Sequence, residues 1–229
     1  MADFPARNLV HAPSRTAVRG PTFIRLLATL TDGDIAAPPS SLSDRLSQWL
    51  DWTHALALST ALDGRPADAP GAPVFGAAVE AECADLRASL AASIAAERDV
   101  VMPGDGTDYA AFRPRILTLQ RRMQAGTGHL RGRLRDMLAN ASADMARLAE
   151  LDAAMERTLS PREHGLLGNV PALLGAHFER LRDGDATGAW MDAFRRDMQS
   201  VLLAELDVRF QPVEGLLAAL RTCQLGRHV

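Results

Sequence analysis

The stretch LSPREHGLLG, residues 159–168, brings together side chains that could do chemistry. Glu163 stands beside His164, and both types serve as general bases or metal ligands. That work needs partners at helical spacing, as in His-Glu-x-x-His, and none occurs here. His177 lies thirteen residues on, past Pro171. Ser160 and Glu163 have instead the spacing of a capping box, in which a serine oxygen accepts from the glutamate N–H and the glutamate reaches back. Pro161 suits a first helical turn, where its missing N–H costs nothing. The expectation is a helix that starts at Ser160, Pro161 and Glu163.

The opening phrase LSPRE is also similar to the start of the LuxR-type helix-turn-helix. The following HGLLGNVPALLGAHFERLRDG lacks that family's Gly-x-Ser/Thr turn and apolar triplet, so DNA binding is not expected. A denser feature is a run of arginines: Arg113, Arg115, Arg121, Arg122, Arg131, Arg133 and Arg135, with no acid between Asp108 and Asp136. At about 100° per residue, Arg115, Arg122 and Arg133 border one side of an apolar arc. Arg113, Arg121, Arg131 and Arg135 border the other. One reading is a basic strip over residues 113–135 for phosphate, RNA, DNA, anionic lipid or an acidic partner. The other is a bundle helix whose arginines snorkel along its flanks. Glu80, Glu82, Asp85, Glu97 and Asp99 upstream favour the second, because a hairpin folded at PGDG would set an acidic helix against the basic one.

The remaining constellations are weaker. GTGHLRG has its third glycine one residue late for a dinucleotide loop and no strand before it. GDGTD lacks the six-ligand register of a calcium loop. Trp49, Trp52 and His54, with Asp51, could line a pocket, but core packing of the tryptophans is the plainer expectation. Lysine is absent and all 25 basic residues are arginine, which rules out a Schiff-base lysine and a Walker phosphate loop. Cys83 and Cys223 are far apart and outside any ligand spacing. No catalytic, cofactor or metal residues are therefore expected, and the chain reads as a non-enzyme.

Helices must position whatever works here. Hydrophobic content is 47% but aromatic content only 5%, and no run alternates with period two. The fold expected is all-α, a helical bundle with a long, coiled-coil-like helical hairpin. Residues 1–20 read as a disordered basic arm. Residues 21–229 read as one helical domain, with a Pro/Gly/Ala-rich linker at 64–73 as the one place it could subdivide. Leu42, Leu46, Trp49, Leu50, Thr53, Leu56 and Ala57 form one stripe. Tyr109, Phe112, Ile116, Leu119, Met123, Leu130, Leu134 and Met137 begin a seam that continues through Ala141, Met145 and Leu148 to Leu159. Two further helices are expected, from about Gly188 to Arg209 and from Pro212 onward. No apolar run approaches the roughly 18 residues of a membrane span. The net charge of −3 exerts no general pull on nucleic acid or anionic lipid.

RLSQWLDWTHALALSTALDG, LSPREHGLLGNVPALLGAHFERLR and VLLAELDVRFQPVEGLLAALR resemble an uncharacterised proteobacterial family, domain of unknown function 3348, over most of the chain beyond residue 20. That resemblance implies a companion of ion-driven motor-type membrane proteins and outer-membrane peptidoglycan-binding proteins, linked peripherally to a membrane complex. It carries no catalytic residue. The expectation is a bacterial cytoplasmic adaptor or scaffold acting through protein partners or self-association, with the amphipathic surface of residues 109–159 as its working part. A weak polyanion binder is the alternative.

Overall fold

A computed structural model describes residues 22–31, 44, 52–63, 75–99, 108–184 and 189–226. The expected basic arm at 1–20 and the linker at 64–73 lie outside the described residues. Within them the chain is helical, with no strand. The α-helices are α1 (Thr22–Thr31), α2 (Trp52–Asp63), α3 (Ala77–Ala96), α4 (Arg113–Ala139), α5 (Ala143–Leu167), α6 (Val170–Gly184) and α7 (Trp190–Gly226). Short 3-10 turns sit at Glu97–Asp99 and Tyr109–Ala111.

α7 is the centre of the fold. Its 37 residues span about 55 Å at ~1.5 Å per residue. A surface helix buries one stripe, but here Val201, Leu202, Ala204, Glu205 and Leu206 are buried in near succession, so the buried face is broad and a narrower arc with Ser200, Asp207 and Glu214 stays exposed. The cause is that α1, α3, α4, α5 and α6 all pack against it. This environment explains why Pro212 does not end the helix, contrary to the expected break between Arg209 and Pro212. An interior proline removes one backbone bond and costs about 3 kcal/mol or more. Phe210, Val213, Leu216 and Leu217, all buried on either side of it, offset that cost by holding both halves in the core.

The seam expected as one element over 109–159 is two helices. α4 stops at Asn140, and Ser142 starts α5 by accepting from the Met145 N–H at 3.3 Å. α4 and α5 then pack against each other as an antiparallel hairpin, as the three-residue connection Asn140–Ser142 requires. α3 runs antiparallel to α4 on its other side, with Glu97 on Arg115 and Glu82 on Arg133. Gly126 permits close approach there, since a Cβ would meet Leu86 Cδ2 at 3.1 Å. The seam residues Ile116, Leu119, Met123, Leu130, Leu134 and Met137 are all buried in the chain's own core. That half of the surface expected to dock a partner or a second copy is thus covered, while Met145, Leu148, Leu151, Met155 and Leu159 are half-buried.

An aromatic cluster closes one end. Phe178 of α6 lies within 4.9–5.7 Å, centroid to centroid, of Tyr109, Phe112, Trp190 and Phe194. Tyr109 donates its hydroxyl hydrogen to the Pro171 carbonyl and lays its ring over Gly175, where a Cβ would sit 2.8 Å from Cε1. Burial pushes the Tyr109 phenol up to about 12, so it stays a donor throughout the ordinary pH range. Pro171 begins α6 in its first turn, where a proline is tolerated.

α2 is attached differently. It packs on α5 and buries only Ala61 among its residues. Leu56 of the expected stripe is 57% exposed and Trp52 is 83% exposed, which overturns the expectation that this tryptophan fills the core.

Candidate functional site

The arginines of the basic run divide between neighbours along the two flanks read from their angles. Arg115 and Arg133 turn to α3, meeting Glu97 and Glu82. Arg131 and Arg135 turn to α5. The Arg131 Nε and Nη2 donate to both oxygens of Asp152 at 2.8 and 2.7 Å, and Arg135 donates to Glu156. The fork matches the carboxylate plane, and both side chains are largely withdrawn from water. Asp152 and Glu156 hold Arg131 above its ordinary pKa, against a burial effect that pulls it down. Arg113, Arg121 and Arg122 are exposed and have no carboxylate partner among the described residues. Arg121 donates only to the Leu117 carbonyl of its own helix, at 3.3 Å.

Ser160, Pro161 and Glu163 do not begin a helix. They lie deep in α5, which runs from Ala143 to Leu167, and its true cap is Ser142. Capping-box letters act only where N–H groups lack carbonyls one turn back, and residues 160–163 follow five turns of existing helix. The buried hydroxyl of Thr158 donates to the Ala154 carbonyl at 2.9 Å, as within an unbroken helix. Pro161 is on the exposed side of α5, so its ring and lost hydrogen bond face solvent.

Ser160, Glu163 and His164 instead form one wall of a cleft of about 210 Å³ between α4, α5 and α7. The α4 wall carries Gln124 and Gly128, and Arg209 of α7 lies at the bottom. Gly128 sits mid-helix at a cost of about 1 kcal/mol relative to alanine. A Cβ there would meet nothing within 4 Å, so close packing does not account for it.

Beneath the cleft is a polar cluster inside the core. The Glu205 residue is 0% exposed and the Arg209 side chain 7%. Arg209 Nε and Nη2 donate to Glu205 Oε1 at 2.9 and 2.8 Å. Gln120 of α4 donates its amide hydrogens to the Glu205 carboxylate, at 2.9 Å to the nearer oxygen, and to the Leu167 carbonyl at 2.9 Å. One amide thus joins α4, α5 and α7. Burial raises the Glu205 pKa above its ordinary 4.5, opposed by the hydrogen bond from Gln120 and by Arg209.

This shift has a sign that can be checked. The folded state holds the Glu205 proton to higher pH than the unfolded chain does. Its contribution to stability is therefore greatest below 4.5 and is lost as pH rises through the raised value. Urea titrations from 4.5 upward should show the stability difference between the native protein and Glu205→Gln shrinking with pH. A difference that grows with pH would contradict burial as the dominant cause.

Sequence reasoning did not single out Gln120, Asp152, Glu156, Glu205 or Arg209. The available signal was Glu205 and Arg209 four apart inside the apolar run VLLAELDVRF. His177 is buried, accepts at Nδ1 from Arg180 at 3.3 Å, and donates from Nε2 to Asp197 at 2.8 Å. With both ring nitrogens engaged, it is a tie between α6 and α7. Cys83 and Cys223 are free thiols. Among the described residues no group of three or more His, Cys, Asp or Glu could hold a metal ion, and no helix is long and apolar enough to cross a membrane.

A family model described as a protein of unknown function (DUF3348) matches residues 9–222. No curated protein and no solved structure matches the chain.

Proposed function

Because the chain belongs to the DUF3348 family of proteins of unknown function, we propose from its own surface that it is a non-enzymatic helical adaptor of the bacterial cytoplasm, acting through protein–protein contacts. The observation that carries this reading is the outward face of α2. Trp52 and Leu56 are four apart, share one side of the helix and are mostly exposed, while Ala61 faces inward. An exposed tryptophan on a helix anchored from behind has the make-up of an interface anchor, because tryptophan offers a large contact area at little entropic cost. Any association with a membrane complex would be peripheral, since no described helix can span a bilayer.

The test places a photo-crosslinking residue at position 52 in the native host, with exposed Asp85 of α3 as the control position. The reading expects a discrete adduct from position 52 that the control does not give. Trp52→Ala should weaken capture of that partner about thirtyfold, the effect of losing a hot spot of ~2 kcal/mol. Its melting temperature should stay within a degree or two of native, as expected for an exposed site. Equal labelling from both positions would refute it.

The polyanion reading is favoured only by Arg113, Arg121 and Arg122, which lack carboxylate partners among the described residues. At ~100° per residue they spread over about half the circumference of α4. Three phosphate contacts would limit the slope of log affinity against log salt to about −2.7 for duplex DNA. A slope near that limit, lost on reversing Arg113, Arg121 and Arg122 together, would favour this reading over the adaptor.

A further inference from the structure

We propose that the bundle flexes about one cross-section, through Gly128 of α4, Pro161 of α5 and Pro212 of α7, and that Arg87 of α3 latches it. Helices bend at prolines and glycines, where the ladder of backbone bonds is interrupted or loosely held. Pro161 and Pro212 both lie inside their helices. Each withholds the N–H that the carbonyl four residues back would accept, and each ring crowds that carbonyl. These weak points coincide in space. Gly128, Ser160 and Pro212 line the same cleft from three different helices, and Pro161 follows Ser160 directly. Gly126, two residues before Gly128, meets Leu86, so α3 crosses at the same level. Gly128 has no crowding neighbour to account for it, and a helix that bends there does account for it.

α3 is built the other way. Its 20 residues hold no glycine or proline and are rich in alanine, the best helix former. It is a stiff strut beside three helices that can bend. At the crossing it presents Arg87, whose Nη2 donates to Asp207 at 2.6 Å and whose Nη1 donates to Glu214. Those carboxylates stand before and after Pro212 in the chain. The guanidinium also lies over the Phe210 ring, 5.5 Å from its centroid. At ~100° per residue, Asp207, Phe210 and Glu214 fall roughly 140–200° from Pro212 around α7. The brace is thus on the opposite side of the helix from the proline and the cleft. A bend at Pro212 changes the spacing of Asp207 and Glu214, and one guanidinium bound to both holds that spacing fixed. With 41% of the Arg87 side chain open to water, salt weakens the latch.

The motion has a defined result. It rocks the end that holds the Asn140–Ser142 connection against the end that holds the aromatic cluster. The cleft of about 210 Å³ lies at the bend and widens or narrows with it. None of the residues invoked belongs to α2, so the device stands or falls separately from the docking face at Trp52.

Hydrogen exchange of the full chain, followed by mass spectrometry, tests the bend. Residues 126–132, 158–165 and 209–216 should exchange together, at least about tenfold faster than residues 84–92 of α3. Arg87→Ala should speed all three stretches by about fivefold, the loss of two partly exposed ion pairs, and keep the melting temperature within a few degrees. Raising salt to about 0.5 M should act on the native chain in the same direction, without any substitution. Pro212→Ala restores the missing backbone bond in α7. It should slow exchange in residues 126–132 and 158–165 as well, on helices to which it does not belong. The proposal is overturned if the three stretches exchange no faster than α3, if Pro212→Ala slows residues 209–216 alone, or if Arg87→Ala and added salt leave all three unchanged.

Discussion

Glu205→Leu is expected to destabilise the folded chain by about 3–5 kcal/mol, as for a buried ion pair that loses one member. The carboxylate is sealed from solvent and is the acceptor for Arg209 Nε and Nη2 and for the Gln120 amide. Leucine leaves a guanidinium that is 7% exposed with only Glu163 nearby, at 3.8 Å, and strips Gln120 of its bonds to the carboxylate. The charge then has to be carried in the core almost alone. Arg209→Met on its own should be similarly harmful, because it leaves the carboxylate buried and uncompensated. Glu205→Leu with Arg209→Met removes both charges and keeps the volume, so most of the loss should be recovered. Urea unfolding of the four proteins closes the cycle, and the coupling should favour the double variant by several kcal/mol. Single variants costing less than about 1 kcal/mol each would mean that water reaches the pair.

The second large effect lies at the aromatic end. Phe178→Ala should cost about 3–5 kcal/mol, because the ring is fully buried and has neighbours on several sides that cannot all collapse into the space. Trp190 and Phe194 meet it edge-on, at 5.0 and 4.9 Å. Tyr109 and Phe112 lie tilted against it, both at 5.7 Å. For a chain of this size each kcal/mol moves the melting temperature by about 2–4 °C, so a drop of roughly 6–20 °C is expected by calorimetry. Trp52→Ala deletes a larger ring and should barely change the melting point, because burial and not aromatic character sets the cost. Equal losses at the two positions would mean that Trp52 is covered.

The all-helical class was legible because three-and-four spacing, scarce aromatics and abundant alanine all point one way. The flanks of α4 were legible too, and the two angular sets of arginines found different neighbours. Chain breaks were the failure. Ala141 kept the apolar spacing alive across Asn140–Ser142, so a real cap was read as helix interior. Pro161 and Pro212 were then given the breaks that belonged elsewhere. A proline's local penalty is fixed, but whether a helix survives it depends on how much apolar surface the flanking turns bury. For α7 that surface is supplied by α1, α3, α4, α5 and α6, which no window around Pro212 contains. The same blindness hid Glu205 and Arg209. Four-residue spacing of opposite charges usually marks a solvated helix face, and only a helix packed over most of its circumference turns it into a core pair.

That enclosure has a bearing on how the molecule is made. Residues 190–226 leave the ribosome after every helix that leans on them. At about 5–20 residues per second, α1 to α6 wait roughly 2–7 s for the 37-residue axle they are to be mounted on. During that interval the faces of α1 and α3 to α6 that pack on α7 have nothing to close over them. A nascent chain stalled before Trp190 would be a ready client for chaperones, and one released there a ready seed for aggregation.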